Sequence, residues 1–217
     1  FYSEGYHPKP SITFSPALAL GVQSVGELLE VKLVDRHDPA DVLRRLNAVS
    51  EAGLEFTACR VVEDGERRMT ALLDRADYLV RLRALEDDPE RIDAALAAFA
   101  RAQSLPVTVR RKKKEKTLDL KQVVERIERA NDHDRASLPN ALAAALEPAP
   151  IALSLRLDGP GQVKPEEALR AIFGDALRVP PVDMVRVGFW RAAGAERRSP
   201  FEAEGRPAEA ATAGHSS

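Results

Sequence analysis

Tyr78-Leu79-Val80-Arg81-Leu82-Arg83, then residues 89–102, then residues 105–110 form the stretch from which the fold is read. The first run is rich in branched and aromatic residues and reads as a strand. In the second, Ile92, Leu96 and Phe99 recur at spacings of four and three, which places them on one face of a helix. The third is again strand-like, so the whole is a βαβ unit.

Working outward, residues 27–34 alternate Leu29, Val31 and Leu33 with Glu30 and Lys32, as a half-buried strand does. Asp38-Pro39 supplies an N-cap and a first-turn proline. Val42, Leu43, Leu46 and Val49 then keep helical spacing up to Gly53. Residues 54–62 read as a strand and residues 69–73 as a helical turn. Downstream, Val123, Val124 and Ile127 suit a helix or a strand equally. Residues 150–157 and 182–190 read as strands, with a helix over 164–173 after the turn at Gly159-Pro160-Gly161. Residues 1–26, punctuated by Pro8, Pro10 and Pro16, read as an irregular loop with one short extended piece at Ser11-Ile12-Thr13-Phe14.

No glycine-rich phosphate turn follows any strand. The expected fold is therefore α+β, as tandem ferredoxin-like (split βαβ) modules with antiparallel sheets and helices on one face. The first module is expected over residues 1–75 and the second over 76–191. Residues 192–217 are rich in Ala, Gly, Ser, Pro and charge without periodicity, and are expected to be a disordered tail.

The chain has 217 residues, 32 of them basic and 34 acidic, so overall charge selects no partner. Cys59 is the only cysteine, which excludes an intramolecular disulfide; it reads as a small core residue in a cytoplasmic setting. No run of about 18 apolar residues predicts a membrane span, and no signal peptide is visible. The chain opens on Phe1 rather than methionine, which reads as a fragment with upstream sequence missing.

Two segments carry chemistry. In Gly5-Tyr6-His7-Pro8-Lys9-Pro10, Tyr6 could stack on a base, Lys9 hold a phosphate and His7 hydrogen-bond or shuttle a proton. The alternative is a connection stiffened by proline, with Tyr6 capping the core. Arg110-Arg111-Lys112-Lys113-Lys114-Glu115-Lys116 places six cations in seven positions, suited to a phosphate backbone. Its alternative is a solvated hairpin tip between Val109 and Leu118, with lysines guarding an edge. Asp119 beside these cations is either a catalytic carboxylate or a salt-bridge partner or turn cap. His37, His133 and His215 have no ligand spacing, so no metal site is expected, and Asn131-Asp132-His133-Asp134 reads as a solvated loop. Phe189 and Trp190 read as packing residues.

The opening Phe1-Tyr2-Ser3-Glu4-Gly5-Tyr6-His7-Pro8-Lys9-Pro10, with Ile12-Thr13-Phe14 and Leu18-Ala19-Leu20-Gly21-Val22-Gln23-Ser24, resembles the radical-SAM-linked family of unknown function. That pattern runs approximately YS-x-G-(FY)-(NH)-P-x-P-x-(IL)-x-F, then LPLG-x-x-S-x-x-E. Glu27 matches its acidic position, and Ala19 replaces the usual proline. Leu118-Asp119-Leu120, Lys164-Pro165-Glu166-Glu167 and Val185-Arg186-Val187 agree more weakly. The resemblance implies a radical SAM protein, adjacent or fused, often cobalamin-binding, that carries the iron–sulfur cluster and S-adenosylmethionine. No cofactor is expected in this chain, which lacks CxxxCxxC. Members of this family carry an upstream strand and basic amphipathic helix absent here, which would leave the first module incomplete. The function expected is an accessory RNA-binding or substrate-presenting domain in tRNA or rRNA modification. The rivals are a protein-docking module acting through residues 1–26 without RNA contact, and an RNA-processing enzyme with His7 as acid or base, assisted by Lys9 or Asp119.

Overall fold

In chain order the elements are β1 (Ile12–Phe14), β2 (Gln23–Ser24), β3 (Leu29–Val31), α1 (Pro39–Val49), β4 (Arg75–Val80), α2 (Pro89–Arg101), β5 (Pro106–Arg111) and β6 (Lys114–Asp119). There follow α3 (Leu120–Val123), β7 (Val124–Arg129), α4 (Asp132–Arg135), α5 (Asn140–Leu146), β8 (Ile151–Arg156), α6 (Pro165–Phe173), β9 (Met184–Ala193) and β10 (Glu196–Arg198). They come from a computed structural model that describes residues 11–111, 114–136, 138–148, 150–175, 177–193 and 196–201.

Local chemistry explains the helix starts. The Asp38 side chain accepts from the Ala40 amide and Asp88 from the Arg91 amide, each followed by a proline at the first helical position. Such prolines lose no helical hydrogen bond and preset φ. Asp119 caps α3 by accepting from the Lys121 amide. The segment that read as helix or strand is both: α3 turns once and β7 follows directly.

The main sheet has the order β10-β9-β4-β8-β7, with β2 lying beside β9. The chain path β4–α2–β7–β8–α6–β9 makes two split βαβ crossovers, and the ladders β4·β8, β4·β9 and β7·β8 are antiparallel. The expectation of purely antiparallel sheets is corrected by β2, which pairs in parallel with β9 at Gln23↔Val185 and Ser24↔Arg186. The fold is α+β with a mixed main sheet. The expected placement of helices on one face is also corrected. Helices α2 and α6 cover Val80, Ile151, Leu153, Leu155 and Met184, while Leu146 of α5 packs behind on Leu79, Ala152 and Val185. The physical reason lies in β4 and β8, where Leu79 and Val80, and Ile151 through Leu155, are buried on both faces.

Residues 11–73 hold β1, β2, β3 and α1, with β1 and β3 paired in a two-stranded sheet of their own. The strand expected over 54–62 is not formed. The Asn47 side chain instead takes both backbone groups of Phe56, donating to its carbonyl and accepting from its amide, each at 2.8 Å. Cys59 in this stretch is half-buried, and burial pushes its thiol above the usual range. At the other end, β9 runs on to Ala193 and pairs with β10 inside the stretch read as aperiodic.

Candidate functional site

A strap of residues 15–28 crosses the outer edge of β9, and one buried arginine holds it. Arg186 is 2% exposed, and its guanidinium donates through Nε to Glu27 Oε1 at 2.7 Å and through Nη2 to Glu27 Oε2 at 2.5 Å. Nη2 also donates to the Pro16 carbonyl at 2.9 Å. Ser15 and Ser24 donate to the two Glu27 oxygens at 2.8 and 2.5 Å, and the Phe189 ring lies 4.7 Å from the guanidinium carbon. Burial pushes the Glu27 carboxyl up, but the Arg186 and serine donors outweigh it and hold it below the ordinary value. Tyr78 beside them is raised by burial, against the pull of Arg186. A lone buried cation is costly, so Arg186 demands this carboxylate.

Gly26 makes the crossing sterically feasible. A Cβ there would stand 2.3 Å from the Val187 carbonyl oxygen and 2.6 Å from Gly188 Cα, both backbone atoms. Only glycine allows the two chains to approach this closely.

The strap carries the β1·β3 ladder, whose register is Ile12↔Val31, Thr13↔Glu30 and Phe14↔Leu29. Alternation puts Ile12, Phe14, Leu29 and Val31 on one face, and all four are exposed. Glu30, on the opposite face, accepts from the Met69 amide at 2.9 Å. The ladder thus presents its apolar side to water. Beyond it, α1 buries no residue. Among the described residues, all 29 buried hydrophobics lie at or after Leu72, whereas ten of the eleven exposed large ones lie between Ile12 and Val62.

The basic run sits on the β5·β6 hairpin, a two-stranded sheet separate from the main one. Arg111 donates through both terminal nitrogens to Glu167 at the start of α6, each at 2.7 Å. Lys116 Nζ donates to the Pro160 carbonyl at 2.5 Å, and Arg110 lies 3.9 Å from Glu115 across the ladder. Lys114 is exposed, and Lys112 and Lys113 lie outside the described residues. Part of the run is therefore spent on holding the hairpin to α6. Asp119 accepts from the Leu105 and Lys121 amides at 2.9 Å, and these donors hold its carboxyl low. That is the turn-cap geometry. Tyr6, His7 and Lys9 lie outside the described residues.

The structure brings Ser24, Glu27 and Arg186 together, and none of the three stood among the binding residues read from sequence. The available signal was an arginine between two valines in a strand, since a charge at that position needs a partner. Among the described residues no group of three or more His, Cys, Asp or Glu could hold a metal ion, and no helix is long and apolar enough to cross a membrane.

Together these features define an α+β module with a split-βαβ sheet and a strapped-on, apolar-faced extension. Residues 1–150 match the family described as "Uncharacterized protein conserved in bacteria (DUF2344)", and the chain belongs to that family, which is associated with radical SAM proteins. No curated protein and no solved structure matches it.

Proposed function

We propose that the chain is an accessory docking module for a radical SAM protein, encoded beside it or fused to it, with no catalytic residue of its own engaged. The observation that carries this reading is the family's association with radical SAM proteins, and the exposed large hydrophobics gathered in residues 12–62 give it a surface. Apolar surface of this kind marks a site of association. In this reading the partner supplies the iron–sulfur cluster and S-adenosylmethionine, with a cobalamin domain where it carries one, and the pair works in the cytoplasm.

A second reading, presentation of tRNA or rRNA for modification, is favoured by the exposure of Arg110, Lys114 and Lys116 on a hairpin outside the main sheet. One experiment separates the two. The full-length protein is tested for capture of its radical SAM protein and for binding of bulk tRNA at low and moderate salt. A variant with Arg110, Lys114 and Lys116 reversed to Glu runs alongside. Docking predicts capture that the variant retains and that salt leaves intact. RNA affinity that falls with salt and vanishes in the variant would replace docking with RNA presentation.

A further inference from the structure

We infer that the free edge of β7 pairs with the same edge of a second copy of this chain, joining two main sheets about a two-fold axis at Ile127. This surface is independent of the docking reading. β7 ends the main sheet, and among the described residues no strand pairs with its outer side. Its outward row of amide and carbonyl groups is a template for one more strand. The extension of residues 11–73 is strapped to β9, with β4 and β8 between, so the β7 edge stands apart from it.

The order of charges says which strand fits. Residues 125–129 read Glu-Arg-Ile-Glu-Arg, with Glu125 and Glu128 exposed and Arg126, Ile127 and Arg129 half-buried. Charges on an edge strand ordinarily repel a neighbour. Turned end for end about Ile127, however, this strand sets Arg126 opposite Glu128 and Glu128 opposite Arg126, with Ile127 against its own copy. Opposite charges facing each other across an antiparallel ladder attract, and like charges repel. Moving the register by one residue sets Glu125 against Glu128 in one direction and Arg126 against Arg129 in the other. Moving it by two sets Arg126 or Glu128 against itself. The strand thus accepts a copy of itself in one register and rejects the neighbouring ones, as an isologous interface requires.

The side chains are placed for this pairing. Ile127 shares the face of Leu153 and packs at the margin of the core under α2 and α6, while Arg126 and Glu128 share the face of Ser154 and Ala152. Asp134 holds Arg126 in position through two hydrogen bonds, at 2.6 and 2.9 Å. Arg126 uses only Oε1 of Glu128, at 2.6 and 2.8 Å, and the 55% exposed Glu128 keeps Oε2 for a second guanidinium.

The test follows the oligomeric state of the full-length protein by sedimentation over a concentration series. One strand pair is a small interface, so a reversible, concentration-dependent dimer is expected. Glu128→Arg sets Arg126 against a second arginine at both symmetric positions and should weaken self-association by about tenfold or more. Arg126→Glu sets Glu128 against a second carboxylate and should do the same. Mixed in equal amounts, the two variants restore opposite charges and should form a heterodimer that neither forms with itself. Because Arg126→Glu also loses the tie to Asp134, the register is checked separately by Ile127→Cys in a Cys59→Ser background. Directly opposite residues stand about 4.5–5.5 Å apart, so this variant should form a disulfide-linked dimer under mild oxidation. Glu128→Cys in the same background should not. A protein that stays monomeric throughout the series overturns the inference. So does a dimer that Glu128→Arg leaves unchanged, or one in which position 127 fails to crosslink.

Discussion

Residues 72–190 and residues 12–62 are built from similar amphipathic patterns but reach opposite ends. Helix α2 turns Ile92 and Phe99 into a core shared with α6 and the main sheet, whereas α1, with Val42, Leu43, Leu46 and Val49 at the same kind of spacing, buries nothing. The difference lies in what each helix faces. Helix α2 returns to the six-stranded main sheet, and α1 follows a two-stranded ladder whose apolar side is exposed. Periodicity thus specifies which face of an element is to be buried, and the number of neighbouring strands decides how far burial goes among the described residues.

That contrast can be broken by mutation. Leu169→Ala removes a side chain with no exposure and should cost about 2–5 kcal/mol in denaturant unfolding. Val49→Ala, at a position 80% exposed, should stay within about 0.5 kcal/mol. Comparable losses at the two sites would mean that α1 has a core after all.

The strap joining the regions should respond next. Gly26→Ala drives a Cβ into the backbone of Val187 and Gly188, where no side chain can move aside, and should cost about 1–3 kcal/mol. Amide exchange over residues 22–28 should rise, while exchange in β8 stays unchanged. Glu27→Gln leaves Arg186 short of its counter-charge and should cost about 1–3 kcal/mol. Combining it with Arg186→Gln should cost less than the sum of the two single changes. Because the Glu27 carboxyl is held below its ordinary 4.5, its contribution is complete above that value and is lost as pH falls through the lower folded one. The stabilities of wild type and Glu27→Gln should therefore converge in acid. A constant gap down to low pH would remove Glu27 from the account. The smallest effect belongs to the hairpin: Arg111→Gln breaks a half-exposed pair with Glu167 and should cost only about 0.2–1 kcal/mol.

Several elements were legible because each carries its own signal, the cap at Asp38 for α1 and apolar periodicity in α2 and β8, but the strand read as closing the βαβ unit after α2 is β5, which among the described residues pairs only with β6, outside the main sheet. The apolar run over 54–62 misled because a strand exists only with a neighbour, and Asn47 satisfied Phe56 instead. β2 could not be read at all, being two residues long and paired with a strand some 160 positions away. The same distance hid the Glu27–Arg186 pair, since no spacing rule links residues that meet only across a finished sheet. The basic run was visible as composition, but the use of Arg111 as a tether depends on where α6 begins.

The most direct test of the docking claim is hydrogen exchange of the full-length protein, alone and bound to its radical SAM protein. The account predicts new protection within residues 12–62 on binding and little change over 106–119 or in the main sheet. Protection confined to the β5·β6 hairpin, with residues 12–62 exchanging as in the free protein, would contradict it.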